Sequence, residues 1–418
     1  MEKKETKIAI IGAGISGLIA AQVLEKQGFS PTIYEKTDRT GGRVKTDIMD
    51  GYQLDHGFQV LLDAYPMAQK YLNLEALELQ RFYPGAIIFK EGEKSVIGDP
   101  LRNLSLFIPT LKSGIGTFSD KLKILKLNNK LKKKTIESIF KESERTTLAY
   151  LQDFGFSTEI ITDFFKPFFS GIFLETELAT SSRMFEFVYK MFGSGYATLP
   201  KAGIEAIPKQ LTAQLKSTRI QYNKEITSCE DGKILFADGS KELVDFIILA
   251  TEASSLIDNM RNQAISWKSC ETLYFTVPKK DDDRPLIGLI PKKDTLINNI
   301  FFHTTLATET SGTDDLLSVT VVKAHTLSEY ELMNQVKEEL KIVCGITEVS
   351  YLKTYEIRQA LPRLSDLQYS ISPSETRLTN SIFLAGDYLL NGSLNAAMMS
   401  GEMAAKGLIE TAKGTLKL

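Results

Sequence analysis

The stretch Ile10–Leu18, IIGAGISGL, sets Gly12, Gly14 and Gly17 in the spacing G-x-G-x-x-G directly behind the apolar run KIAII. A short β-branched run ending in glycine reads as a buried parallel strand entering a tight turn. The residues that follow, SGLIAAQVLEKQG, place Leu18, Ala21 and Val23/Leu24 at helical spacing and stop at Gly28. SPTIYEK then reads as a second strand. The glycines therefore sit inside a βαβ unit, the context that gives the spacing its force. Gly12 makes the turn, Gly14 admits a pyrophosphate close to the backbone, and Gly17 lets helix and strand pack. Ile15 and Ser16 open the helix with them, and its free N–H groups face the phosphates. Glu35, followed by Lys36, ends the second strand eighteen residues after Gly17. A carboxylate there accepts ribose hydroxyls and disfavours a 2′-phosphate, so FAD or NAD is expected rather than NADP.

The next segment separates those two. KTDRTGGRVKT brings Gly41, Gly42 and Arg43, and LDHGFQVL brings Asp55, Gly57, Phe58 and Gln59. An NAD site has no need of a second glycine pair and an arginine at this point. A longer cofactor does, with Arg43 supplying a charge-assisted contact to phosphate. With these elements in order, the chain resembles the FAD-dependent amine oxidase, phytoene desaturase and protoporphyrinogen oxidase superfamily. That resemblance implies that the chain returns to its cofactor near the other end. SIFLAGDYLLNGSLNAAMMSGEMAAKGL looks like that closing segment, a strand Ile382 to Ala385, then Gly386 and Asp387, then a helix from about Leu394. Carried over, Asp387 holds the ribityl chain, and backbone N–H groups around Asn395, Ala396 and Ala397 stabilise negative charge at the flavin pyrimidine edge. In the middle, GYATLPKAGIEAIPKQLT resembles the return to the cofactor domain. The position matching Ile226 contacts adenine, and FIILATEAS ends beside the cofactor at Ala250 and Thr251. The expected fold is α/β: a Rossmann-like, glutathione-reductase-like FAD-binding domain, discontinuous over 1–65, 195–255 and 365–418. An α+β substrate domain with a helical subdomain, 66–194 and 256–364, is inserted into it.

Composition bounds the rest. At 418 residues, 43% hydrophobic, the chain can bury more than one compact unit, and a net charge of -2 offers no basic field for nucleic acid. Cys229, Cys270 and Cys344 are far apart, and there are only three histidines, His56, His303 and His325. Neither a disulfide framework nor a metal site is expected. The charged start runs straight into a strand, without a signal-peptide core, and no stretch approaches ~20 apolar residues. A soluble or peripheral cytoplasmic protein is the expectation. DFFKPFFSGIF and RMFEFVYKMF concentrate aromatics that suit either core packing or a tunnel for a hydrophobic small molecule. CETLYFTVPKK and LLSVTVVKAH read as strands of a sheet that floors such a pocket. The lysine-rich segment 120–134 reads either as a solvated helix face or as a basic amphipathic helix in peripheral contact with a membrane.

The resemblance implies dehydrogenation of a polyene, a porphyrinogen or a hydrophobic amine. Hydride passes to flavin N5, and dioxygen, a quinone or another acceptor reoxidises the cofactor. A flavin-dependent isomerase without net redox change is the alternative, and a flavin-binding scaffold is a third class. Amine oxidases of the superfamily often keep a lysine near N5, whereas here WKSCETLYF sets Ser269 or Cys270 at that place with Lys268 beside it. No cysteine lies near AGDYLLNG, so non-covalent FAD is expected, with His56 structural.

Overall fold

A computed structural model describes residues 5–90, 92–99, 102–279 and 283–415. The charged Met1–Lys4 start lies outside them. Five parallel strands form one sheet in the order Arg219–Gln221, Thr32–Tyr34, Ile8–Ile11, Phe246–Leu249, Ile382–Leu384. Ile8–Ile11 and Phe246–Leu249 are buried at every position, which is why they read as unbroken apolar runs. The edge strand Arg219–Gln221 has no such run and is partly exposed throughout.

The first helix, Ile15–Lys26, leaves the sheet at the glycine turn, and the closing helix, Leu394–Thr415, crosses it closely. A Cβ on Gly401 would lie 2.2 Å from the Ser16 carbonyl oxygen, so only glycine allows this approach. The two ends of the chain are thereby packed backbone to backbone. Between them, Ile226–Glu230, Lys233–Phe236 and Lys241–Leu243 form a three-stranded antiparallel sheet that turns at Asp231-Gly232 and Asp238-Gly239, as the glycines predict.

A seven-stranded sheet runs Ser350–Pro362, Trp267–Val277, Asp315–Val321, Ile297–Phe302, Ile287–Leu289, Gly85–Lys90, Glu93–Gly98. The helix Glu329–Cys344 covers one face; its Leu332, Val336 and Leu340 share an apolar cluster with Leu273, Phe275 and Val319. Aromatic helices lie beside this sheet. Their starts are written in the sequence: Thr117, Thr135, Thr146, Ser157 and Ser181 each accept a backbone N–H as N-caps. Each such cap contributes about 1 kcal/mol. Within this layer the fully buried carboxylate of Glu186 accepts a 2.5 Å hydrogen bond from Tyr150 and pairs with Lys134 at 2.5 Å.

Candidate active site

The first glycine turn is fixed by contact rather than by flexibility. Gly12 has φ +102°, and a Cβ there would sit 3.0 Å from the Ala250 carbonyl oxygen and 3.8 Å from Thr251 Cβ. A Cβ on Gly17 would strike the Gly12 oxygen at 2.1 Å. Beside Gly14, by contrast, a Cβ would meet nothing within 4 Å, so the backbone is open on that side. No side chain caps the helix Ile15–Lys26, so its first amides have no side-chain partner within the chain. Glu35 is buried. Its Oε2 accepts the Ala13 N–H at 2.8 Å, and its Oε1 accepts both the Thr37 N–H and hydroxyl. The Glu35 carbonyl accepts the Lys224 N–H at 2.9 Å, which brings the buried Ile226 to the same end of the sheet. Lys36 is exposed.

The second glycine turn sits against the first. The Gly41 N–H donates to the Ala13 carbonyl at 2.9 Å, and Gly41 bridges to Gly14. Arg43 then spans the two ends of the chain: Nη2 meets Asp387 Oδ1 at 2.5 Å, Nη1 donates to the Ala360 carbonyl at 3.1 Å, and the guanidinium lies 5.2 Å from the Trp267 ring. Gln59 Nε2 donates to the Arg43 and His56 carbonyls, holding Gly57 and Phe58 in the adjoining turn. Gly386 donates its N–H to Ser400 Oγ. Most of the residues expected at the site therefore share one continuous region.

At the closing helix the expectation needs a correction. The Ala396 N–H is taken by Ser393 Oγ and the Ala397 N–H by the Ser393 carbonyl, both at 3.0 Å. These two amides are spent within the chain. Asn395 is fully buried; its Oδ1 accepts the Met67 N–H, while its Nδ2 has no partner among the described residues. A buried donor without an acceptor is costly, about 1–3 kcal/mol, unless a bound group supplies one. The open face at Gly14, the uncapped helix, the Arg43–Asp387 junction and this orphaned donor together fit an elongated flavin dinucleotide.

Next to this groove lies a cavity of about 590 Å³. Gln59, Gly392 and Leu394 wall its inner end. Phe164, Phe168, Tyr189 and Phe192 also line it, while Phe165, Phe169, Phe173, Phe185 and Phe187 are wholly buried core. The two aromatic clusters thus divide between both roles open to them. The division follows helical direction: Phe164 and Phe165, neighbours in one turn of π-helix at Ile161–Phe165, face the cavity and the core respectively, and the helices Lys166–Phe173 and Ser182–Ser194 divide their aromatics in the same way. Trp267–Val277 and Asp315–Val321 are strands of the large sheet but contribute no lining residue; the sheet reaches the cavity through Gly85, Ile97, Gly98, Ile287 and Asn299. Asn299 is one polar lining residue that sequence reading passed over. Its Nδ2 donates to Thr320 Oγ1 and its Oδ1 accepts from Asn298, and two asparagines inside the apolar strand INNIFF were the available signal.

Other candidate groups are engaged elsewhere. Lys268 Nζ donates to the Phe173 carbonyl at 2.8 Å and to Thr180 Oγ1, and burial lowers its pKa. Burial pushes the Cys270 thiol up to about 12. His56 pairs with Asp47 at 2.9 Å and stacks on Tyr355. Asp55, pushed up to about 7 by burial, accepts from Thr46 Oγ1 and the Ile204 N–H, stitching the returning segment to the first. Among the described residues no group of three or more His, Cys, Asp or Glu could hold a metal, and no helix is long and apolar enough to cross a membrane.

Comparison with known proteins converges on one family. The chain is 46% identical over 56 residues to a 4,4'-diapolycopen-4-al dehydrogenase of Metabacillus indicus, covering 13% of this chain and 11% of that protein. It is 25% identical over 167 residues to protoporphyrinogen oxidase 2 of Arabidopsis thaliana, covering 40% and 32%. The chain thus spans less than a third of the length of either curated relative. A crystal structure of a putative protoporphyrinogen oxidase from Exiguobacterium sp. 255-15 superposes with TM-score 0.66 at 17% identity, covering 99% of this chain and all of the other, which shows a shared mixed α/β fold. Residues 15–409 match the model for flavin containing amine oxidoreductases. The chain therefore belongs to the flavin containing amine oxidoreductase family, and its cofactor is FAD.

Proposed function

We propose that this protein is an FAD-dependent dehydrogenase of a largely apolar substrate. In this reading the five-stranded parallel sheet, with the segments 1–65, 195–255 and 365–418, is a Rossmann-like cofactor domain, and the remainder holds substrate. Glu35 holds the adenosine ribose, and the amides that open the first helix hold the pyrophosphate together with Gly41, Gly42 and Arg43. Asp387 holds the ribityl chain. Non-covalently bound FAD supplies a two-electron acceptor at N5. The chain's own work is to place a C–H bond of the substrate at the inner end of the cavity and to keep water from it.

The observation that carries this reading is the cavity itself, which adjoins the cofactor groove at Gln59 and Leu394 and is otherwise walled mainly by aromatic and aliphatic side chains. Its charged lining residues are Asp99, Arg102 and Lys121, two cations to one carboxylate. With Lys268 bonded elsewhere, this balance favours a polyene or porphyrinogen over an ammonium substrate. Relatives named for 4,4'-diapolycopen-4-al and protoporphyrinogen agree in kind. Anaerobic mixing with candidate polyenes, porphyrinogens and hydrophobic amines tests the proposal: the true substrate class bleaches the flavin's visible absorption. Turnover that leaves the flavin oxidised would establish the isomerase alternative instead.

A further inference from the structure

Fourteen large hydrophobic side chains are exposed among the described residues, and seven of them fall between Leu104 and Leu125. Leu104 is 84% exposed, Phe118 70% and Ile108 61%. The patch is continuous with the cavity, because Phe107, Leu111, Phe118, Leu122 and Leu125 are both exposed and part of its lining. An apolar surface of this kind marks an interaction site, and here it surrounds an apolar doorway.

The helix Phe118–Lys133 shows which way the surface faces. Its Leu127 and Leu131 are buried in the core, so the apolar residues that would make an ordinary amphipathic helix are already used. Lys130 and Lys134 point the same way, at Glu186. The opposite face carries Phe118, Leu122 and Leu125 and then, at continuing helical spacing, Lys132 and Lys133, all exposed. Lys112, Lys126, Lys132 and Lys133 are exposed and have no acidic partner among the described residues. A protruding apolar patch followed by unpaired cations matches the two layers of an anionic lipid surface, hydrocarbon and headgroup. A protein partner would explain the patch, but not its placement as the rim of an apolar channel.

We propose that the Leu104–Leu125 surface seats on an anionic bilayer, with Leu104, Ile108 and Phe118 in the acyl boundary and Lys112, Lys126, Lys132 and Lys133 at the phosphates. Apolar substrate then enters the cavity from the membrane without crossing water. This rests on the reading that the cavity takes an apolar substrate.

The test is flotation of the full chain, FAD bound, with vesicles of phosphatidylcholine alone or of equal parts phosphatidylcholine and phosphatidylglycerol. Wild type floats with the mixed vesicles and binds phosphatidylcholine about tenfold or more weakly, since each surface lysine favours the anionic leaflet. L104S/I108S, at two exposed positions outside the cavity lining, lowers partitioning about tenfold or more. K126E/K133E abolishes the preference for phosphatidylglycerol. Thermal melting and flavin content confirm that each variant is folded. Protein that keeps its flavin yet stays unbound with both vesicles overturns the membrane inference alone. Protein without flavin overturns the functional reading. Light scattering that finds a dimer dissociated by L104S/I108S assigns the surface to a second copy and likewise overturns the inference.

Discussion

Along the dinucleotide groove the chain presents mostly backbone; along the cavity it presents mostly side chains. The groove depends on what is missing at Gly12, Gly14, Gly17 and Gly41, and on a few fixed charges such as Glu35, Arg43 and Asp387. Few residue types can replace these, because a Cβ at Gly17 meets a carbonyl oxygen at 2.1 Å. Cavity and core are instead made of the same residue type, phenylalanine, divided by the direction each side chain takes from its helix. A cofactor site of this kind is specified by position, and a substrate site by orientation.

The pair Phe165 and Phe168, three residues apart, can break this comparison. Phe165 is wholly buried, while Phe168 lines the cavity and is half-buried. Phe165→Ala should cost about 3–5 kcal/mol of stability, the range for removing a phenyl ring from a packed core. Phe168→Ala should cost less, roughly 1–2 kcal/mol, because its ring packs on Phe164, Phe169 and Phe192 but is only part buried, while slowing or weakening the bleaching of flavin by substrate. Urea unfolding of both variants, followed by anaerobic titration, provides the check. Equal losses of stability would place Phe168 in the core and remove it from the substrate site.

The same contrast explains what could be read in advance. The parallel strands at Ile8–Ile11, Thr32–Tyr34, Phe246–Leu249 and Ile382–Leu384 were legible because burial on both faces demands continuous apolar residues. The glycine turns were legible because steric exclusion at Gly12, Gly17 and Gly41 leaves one residue type. The division of the aromatics was not, because these helices carry phenylalanine on both faces, and composition does not say which face meets the core. Nor was the outward face at Phe118 and Leu122, since a lysine-rich helix conceals which of its leucines meet the core. The amides at Ala396 and Ala397 were assigned through the family resemblance, and their capture by Ser393 is a local capping choice that a resemblance does not reveal.

A smaller effect is expected where the two ends of the chain meet. Asp387 is nearly buried and holds Arg43 through a charge-assisted bond of 2.5 Å. Asp387→Ala should cost about 1.5–3 kcal/mol, the range for a hydrogen bond to a charged group. Arg43 keeps its contacts to the Ala360 carbonyl and Trp267, so the turn itself should persist. The loss should appear mainly as FAD that washes out during gel filtration. Unchanged retention would mean that the convergence of the termini is structural and not part of cofactor binding.

The smallest and sharpest effect concerns Glu35. Its Oε2 already accepts the Ala13 N–H and its Oε1 accepts twice from Thr37, so the carboxylate braces the glycine turn before any ligand arrives. A carboxylate has about four acceptor sites, which leaves lone-pair capacity for a ribose hydroxyl. Glu35→Gln keeps the shape and one carbonyl oxygen but presents an NH2 group where a second acceptor stood. If that oxygen faces Thr37, the Ala13 N–H is left opposite a donor, and the turn and the ribose contact weaken together. FAD affinity should then fall about tenfold, or ~1.4 kcal/mol, with stability of the FAD-free protein lowered by about 1 kcal/mol. Fluorescence titration of FAD into the stripped variant distinguishes the two contributions. A loss of stability without a loss of affinity would make Glu35 a brace for the glycine turn only. The ribose would then have to be held by other groups at the end of the strand Thr32–Tyr34.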